Sequence, residues 1–474
     1  MSVPLKRAKI VATLGPATDV PTVLEKMIRA GLDIARLNFS HGTQAEHKRR
    51  IRTIRKLAKK LKKPVAILLD LQGPKIRTGL LKKGKSVHLI KGNKISITTK
   101  PVVGDASLVS TTYRHLLHDV KKGDPILLDD GRMRLEVLGK TKNRVTCKVI
   151  YGGWLKEHAG MNLPGTRLSA PALSKKDLED LKFGLEMDVD AIALSFVRKA
   201  QDVLKLKEIL KRKRRTIPVI AKIERMEAVD QLDEILKVTE GVMVARGDLG
   251  VEVPFERVPV LQKYIIQRAN EMGVLVITAT QMLDSMVNSP HPTRAEASDV
   301  ANAIFDGTDA VMLSGETAVG QYPIEAVHVM SRIIYEAEHN VEYHVDGEHS
   351  PHEHRTMAYA VVHAACRATQ EVDSHAIMVF SMTGTTVRML SKLKPTTPII
   401  GISPFEKVCR QMALFWGVVP VLVPTGTSTD EMFRLGEKAV LKHHLLKKGD
   451  CVVVVSGSQL LRGATNTMRV LKLH

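Results

Sequence analysis

Eight short apolar runs, most of them separated by helical patterns, constrain this chain more than any other feature. They are KIVATLG (9–15), DIARLNFSHG (33–42), PVAILLDLQG (64–73), DAIALSF (190–196), PVIAKIE (218–224), GVMVARGD (241–248), GVLVITATQM (273–282) and DAVMLSGE (309–316). Stretches such as VPTVLEKMIRAG, KKDLEDLKFGLEMD and FERVPVLQKYIIQRANEMG carry helical spacing between them. Alternating strands and helices predict a parallel sheet, and eight such units predict an α/β chain closed into a (β/α)8 TIM barrel. Such a barrel gathers its chemistry at the C-terminal ends of its strands. Polar residues stand at those ends here: Arg36, Asn38, Asp70, Lys222, Glu224, Asp248, Thr280, Ser314 and Glu316. Lys222 and Glu224 lie two positions apart and so share one face of a strand. Alone, the pair would read as a salt bridge at a strand end; in this company it reads as part of a convergent rim.

Two stretches depart from the alternation. Between the third and fourth runs lie roughly 95 further residues with β character, including KSVHLI, NKISITT, DPILLDDGRMRLEVLG and RVTCKVIYGG. Short runs divided by Gly, Asn and Asp turns predict a small all-β domain inserted at the rim, placed to act as a lid. Near residue 345 a polar connector begins, VDGEHSPHEHR, whose His349, His352 and His354 read as a solvated linker rather than a metal site. A second α/β set follows in HAIMVFS, TPIIGIS, VVPVLVP, CVVVVSG and NTMRVLKL. The expected organisation is a barrel over 1–73 and 168–343, an inserted domain over 74–167, and a C-terminal domain over 344–474.

Bulk properties narrow the function. At 474 residues the chain is too long for one core. No apolar run approaches the ~18 residues of a membrane span, and MSVPLKRAKIVATLG lacks the apolar core of a signal peptide. Cys147, Cys366, Cys409 and Cys451 are scattered, which suits reduced thiols and a cytoplasmic location. The formal charge of +21 attracts anions. Basic runs such as KRRIRTIRKLAKKLKK (48–63) and KLKEILKRKRR (205–215) keep helical apolar spacing and read as solvated helix faces. With 4% aromatic residues there are few stacking platforms for a nucleic acid.

Several motifs resemble one family in order and spacing: RLNFSHG (36–42), GPKIRTG (73–79), MNLPG (161–165), VIAKIERMEAV (219–229), ARGDLGVEVP (245–254), TATQMLDSM (278–286), PTRAEASDVANAIFDGTDAVMLSGETA (292–318) and TNTMRV (465–470). Along its whole length the chain resembles the pyruvate kinase family. The resemblance implies a barrel with an inserted β lid, a regulatory C-terminal α/β domain and a homotetramer. The reaction implied is phosphoryl transfer from phosphoenolpyruvate to ADP, yielding pyruvate and ATP.

The resemblance also implies roles. Glu224 and Asp248 would hold Mg²⁺ or Mn²⁺, since one or two carboxylates plus substrate oxygens is the usual magnesium arrangement. Lys222 would sit on the transferring phosphoryl group and the developing enolate. Gly247 would let its backbone N–H approach the substrate carboxylate. Thr280 would help deliver a proton to the enolate carbon, through water shared with Ser314 and Glu316. Arg36 and Arg77 offer forked donors to phosphate, and Asn38 and His41 resemble nucleotide contacts. The competing reading of Asn38 and Ser40 is that they cap the helix after the second strand. Arg294 would begin a helix at a subunit interface.

Two departures stand out. Many relatives carry a lysine where this chain has Ala159, with Lys156 and His158 nearby, which puts nucleotide contact from the lid in doubt. Potassium-requiring relatives carry a glutamate in the GPxIRT stretch, where this chain has Lys75. Asn38, Ser40, Asp70 and Leu71 then form the remnant of a monovalent-cation site, with the Lys75 ammonium as an internal cation. Two positive charges in one small pocket repel, so K⁺ is expected not to be required. The alternative for Lys75 is a solvated lysine at the lid hinge.

In the C-terminal domain, VFSMTGTTVRML (379–390) places Ser381, Thr383, Gly384, Thr385 and Thr386 at a strand-to-helix turn suited to phosphate. It resembles the family's effector pocket, to which the SGSQLLRG loop would add Arg462. A phosphorylated allosteric effector is expected; the alternative is plain helix capping. Two other functions compete with this reading: a different metal-dependent barrel enzyme acting on phosphoenolpyruvate or a keto acid, and a basic RNA-binding protein.

Overall fold

The structure is a computed structural model that describes residues 6–340, 356–457 and 465–474. Eight parallel strands close into a barrel in chain order: Lys9–Thr13, Ile34–Asn38, Ala66–Asp70, Ala191–Leu194, Val219–Ile223, Gly241–Ala245, Leu275–Ala279 and Ala310–Leu313. Closure runs through Lys9 opposite Ala310 and Leu313 opposite Ala12. All eight expected strands are present. Their apolar runs are continuous because both faces are covered, by helices outside and by the packed interior within.

The pleat decides what the barrel contains. Val11, Ile34, Ala66, Leu68, Ala191, Ala193, Ile220, Met243, Ile277 and Met312 belong to the interior cluster. Their neighbours Ile10, Ala35, Ile67, Ile192, Ala221, Val244 and Val311 pack under the helices. Stepping by two along each inward stripe leads from apolar residues to Thr13, Arg36, Asp70, Ser195 and Lys222 at the C-terminal end. The rim chemistry is therefore the last layer of the barrel interior.

The helix Gln44–Leu61 turns Ile51, Ile54 and Leu57 inward and much of its positive charge outward. Its N-cap is Thr43, whose hydroxyl accepts from Glu46 N while Glu46 accepts from Thr43 N. This corrects the capping reading of Asn38 and Ser40: the chain runs on beyond them before the helix starts, and the Ser-x-x-Glu type of signal sits at Thr43.

The inserted segment forms a six-stranded sheet and a two-stranded ribbon, Val87–Leu89 with Gly153–Leu155, around its own apolar core. The C-terminal domain has five strands ordered Val418–Leu422, Ile399–Ser403, Ala376–Phe380, Cys451–Gly457 and Thr465–Lys472, the last antiparallel. It docks on the end of the barrel opposite the rim. One buried cluster runs from the barrel interior into this domain, and Lys9 Nζ donates to Val418 O at 2.7 Å. Among the described residues no helix is long and apolar enough to cross a membrane. The His349–His354 stretch and Arg462 lie outside the described residues.

Candidate active site

Five strand ends build one buried network. Arg36 donates through Nε to Asp70 Oδ2 at 2.6 Å and through Nη1 to Thr13 Oγ1 at 2.8 Å. Lys222 Nζ lies 3.4 Å from Asp70 Oδ1, 2.8 Å from Glu224 Oε1 and 2.9 Å from Ser195 Oγ, to which it donates. Ser195 in turn donates to Leu71 O at 2.7 Å. Burial opposes charge on Lys222, but Asp70 and Glu224 outweigh it and raise its pKa. Burial likewise opposes charge on Asp70, yet Lys222 and Arg36 hold it below the ordinary carboxylate range. Both groups are thus charged at neutral pH.

Glu224 is different. Burial pushes its carboxyl up to about 7; Lys222 pulls it back, and the Asp248 carboxylate adds to the rise. Its Oε2 accepts from Phe196 N at 2.6 Å. Its Oε1, though within ion-pair distance of Lys222, is buried and makes no hydrogen bond. A buried carboxylate oxygen without a hydrogen bond, facing a second carboxylate, is a donor set that fits a hard divalent cation. Among the described residues no three His, Cys, Asp or Glu side chains converge. Magnesium takes few protein ligands and completes its shell from water and substrate.

Asp248 lies on the short helix Arg246–Glu252 that directly follows the sixth strand. Gly247 N donates to Thr280 Oγ1 at 2.8 Å, so this N–H is engaged rather than open. A Cβ at Gly247 would lie 3.4 Å from the same oxygen, an ordinary van der Waals contact, so packing here does not by itself require glycine. Thr280 has φ +70° and Gln281 φ +54°. A β-branched residue in the left-handed region is an outlier costing on the order of 1–3 kcal/mol, and such strain clusters at functional sites. Arg246 holds it there, donating from Nη2 to Thr280 O at 2.7 Å and from Nη1 to Asp299 Oδ1 at 2.7 Å.

Ser314 has a buried hydroxyl with no hydrogen-bond partner among the described residues. Glu316 accepts from Leu283 N at 3.1 Å and from Ser314 N at 2.6 Å. Its carboxylate therefore braces the loops after strands seven and eight.

At the entrance, Arg77 donates to His158 O at 2.8 Å, joining the two lid crossings. Burial lowers the Lys75 ammonium, as does Arg77, while Asp248 and Glu224 pull the other way. Lys75 therefore shares Asp248 and Glu224 with Lys222, which also repels it, while Asp70 acts on Lys222 alone. His41 is lowered by burial and by Lys75, Arg77 and Arg36. The remnant cation ligands have protein partners: Asn38 Oδ1 accepts from Ser40 N at 3.0 Å, Leu71 O from Ser195, and Asp70 from Arg36. Ala159 is buried in the lid core, so its side chain offers nothing to a nucleotide.

In the C-terminal domain, Ser381, Thr383, Thr385 and Thr386 line a cavity with Thr465 and Arg469. Gly384, at φ +80°, is the N-cap of the helix Thr385–Lys392 and has no side chain to cap it. Ser381 Oγ accepts from Gly384 N at 2.9 Å, so the hydroxyls serve the turn as well as the cavity.

Ser195 and Arg246 were not singled out from the sequence. Ser195 lies on the inward stripe two positions past Ala193, a signal available once the inward face is known. Arg246 had only its place beside Gly247 and Asp248 to mark it.

Comparison with known proteins bears on this geometry. Residues 5–327 match the family model described as "Pyruvate kinase, barrel domain", and residues 359–471 match "Pyruvate kinase, alpha/beta domain". A pyruvate kinase of Clostridium perfringens is 44% identical over 478 residues, covering 99% of this chain and 100% of that protein. Pyruvate kinase 2 of Synechocystis is 46% identical over 98% of this chain and 79% of its own length. A crystal structure of a pyruvate kinase from Cryptosporidium parvum superposes with TM-score 0.94 at 34% identity, covering 100% of this chain and 97% of that one. The matches take in the inserted and C-terminal domains as well as the barrel, and the chain belongs to the pyruvate kinase family.

Proposed function

We propose that the chain, an enzyme of the pyruvate kinase family, transfers the phosphoryl group of phosphoenolpyruvate to ADP, assisted by Mg²⁺ at Glu224 and Asp248. The carrying observation is Lys222 in contact with Asp70, Ser195 and Glu224 at the end of the barrel interior. In the reaction the bond between phosphorus and the enol oxygen breaks, a terminal phosphate oxygen of ADP takes the phosphoryl group, and the enolate gains a proton on carbon. Phosphoryl transfer needs positioning and charge stabilisation more than covalent help. The divalent ion, when bound, supplies Lewis acidity and neutralises phosphate charge. Lys222, held protonated, stabilises charge on the transferring group and on the enolate oxygen. Arg36 is fixed by Asp70 and Thr13, which leaves Nη2 for a phosphate oxygen. Thr280 and Ser314 hold the side from which the proton arrives, and Arg77 with Asn38 and His41 receives the nucleotide. A lactate dehydrogenase-coupled assay tests this: NADH must be consumed only when phosphoenolpyruvate, ADP and Mg²⁺ or Mn²⁺ are all present.

The reading extends to K⁺ independence, with Lys75 as the internal cation. Its support is that Lys75 shares the electrostatic environment of Asp248 and Glu224 while the remnant ligands bond to protein. Tetramethylammonium as the only monovalent cation should sustain the rate. A gain of about tenfold on adding K⁺, or ~1.4 kcal/mol of barrier, would refute it. The hydroxyl-lined cavity supports a phosphorylated effector, tested by the half-saturation for phosphoenolpyruvate with sugar phosphates and AMP. A homotetramer in the cytoplasm completes the proposal, tested by light scattering and cell fractionation.

A further inference from the structure

A cleft of about 650 Å³ opens between the barrel and the C-terminal domain, at the end of the barrel away from the active site. Its barrel wall is the end of the helix Gln44–Leu61 and the segment 62–65 that leads into the third strand. Its other wall is the helix Glu406–Met412, the strand Val418–Leu422 and the end of the helix Thr429–Lys442.

The lining divides by chemistry. Leu61, Val65, Pro420 and Leu445 give it an apolar surface. Three of its cations are committed elsewhere: Arg55 to Asp190 at 2.8 Å, Lys63 to Asp33 at 3.8 Å, and Arg410 to Asp190 at 2.8 Å. Lys59, Lys62 and Lys442 have neither a carboxylate nor a hydrogen-bond partner among the described residues, and all three are exposed. The one carboxylate of the lining, Glu406, is 3.5 Å from Arg410. Lysines at helix C-termini complement the helix dipole, and two such termini meet here. That accounts for lysines at the rim but not for a cavity of this size with an apolar surface between them. Unpaired ammonium groups around one cleft raise its potential and concentrate anions.

We propose that this cleft binds a small organic anion carrying two or more negative charges on an apolar body, at a site separate from the hydroxyl-lined cavity of the C-terminal domain. Its ligand touches both domains at once. The third strand, which starts at the cleft wall, ends on Asp70 in the catalytic network.

The test uses the full chain and 8-hydroxypyrene-1,3,6-trisulfonate, a fluorescent trianion on an aromatic body, followed by anisotropy at low ionic strength. Saturable binding of one probe per chain beyond any bound at the active site is expected, and it should remain in Arg36→Ala/Arg77→Ala, which removes the forked phosphate donors of the catalytic rim. It should weaken at least tenfold in Lys59→Ala/Lys62→Ala/Lys442→Ala and in the same direction in Lys442→Glu alone. Thr383→Glu, which sets a carboxylate in the C-terminal cavity, should leave it unchanged. Thermal unfolding followed by circular dichroism checks that each variant is folded. Non-saturable binding, equal binding by the wild type and both lysine variants, or loss of binding in Thr383→Glu would overturn the proposal.

Discussion

The two ends of the barrel are both charged, yet they are built to opposite ends. At the closed end an acidic residue precedes every second strand and caps the start of the strand before it. Asp33 accepts from Ile10 N, Asp190 from Ile67 N, Glu240 from Val219 N and Asp309 from Val276 N, each at 2.8–2.9 Å. Cations then close over them: Lys6 on Asp33, Arg55 and Arg410 on Asp190, Lys207 on Glu240, Lys392 on Asp309. At the open end Glu224 Oε1 has the Lys222 ammonium at 2.8 Å but no hydrogen bond, Ser314 Oγ has no partner among the described residues, and Asp248 adds a second negative charge that raises the Glu224 carboxyl. Buried polar groups are normally satisfied. Asp309 Oδ1 at the closed end is also buried without a hydrogen bond, 3.8 Å from Lys394, so the contrast lies in use. The four closed-end acids each accept from a strand N–H and pair with a cation, whereas at the open end two carboxylates, Glu224 and Asp248, are set against each other.

The comparison predicts opposite phenotypes. The largest effect belongs to the open end: Glu224→Gln or Asp248→Asn should lower kcat by about 10³-fold or more with little change in the urea midpoint. A matching loss of stability would break the contrast. At the closed end, Asp190→Ala takes the acceptor from Ile67 N and one acceptor each from Arg410, which keeps Asp188, and Arg55, which keeps Asp188 O and Val65 O. The variant should lose about 1–3 kcal/mol in urea unfolding. Its kcat at low temperature should stay within about twofold of wild type.

Smaller effects sharpen the picture. Lys75→Glu should make the enzyme respond about tenfold to K⁺, since a carboxylate then replaces the internal ammonium; a flat response would return Lys75 to a hinge role. Ser195→Ala removes the hydroxyl that orients Lys222 and should lower kcat about tenfold, with KM for ADP unchanged and the effect largely rescued in Ser195→Thr. The smallest effect is a pH trend at the closed end. Burial holds Lys9 and Lys394 down to about 8, below the usual 10.5. Between those values the unfolded chain binds protons that the native state has shed, so stability should rise with pH there and be flat with respect to these groups below about 8. The urea midpoint should therefore be higher at pH 9.5 than at pH 7.5, and less so in Lys9→Met.

Much of this was legible in the residues. All eight strands could be read because parallel barrel strands are apolar on both faces, and their polar last residues marked the rim. Lys222 and Glu224 followed from a spacing of two. Ser195 escaped because a serine ending DAIALSF is unremarkable until the inward stripe is known. The partners of Gly247 and Glu316 also escaped, because hydrogen bonds between loops leave no periodic trace. The acids of the closed end carry no signal either: Asp33, Asp190 and Asp309 precede strands as ordinary turn residues do.

The most direct test combines Mn²⁺ binding, followed by electron paramagnetic resonance, with the coupled ATP-forming assay on the same proteins. Wild type and Lys222→Met should each hold one Mn²⁺ per chain, Glu224→Gln and Asp248→Asn should not, and ATP formation should be lost in all three variants. Unimpaired Mn²⁺ binding by Glu224→Gln, or wild-type turnover by Lys222→Met, would contradict the account.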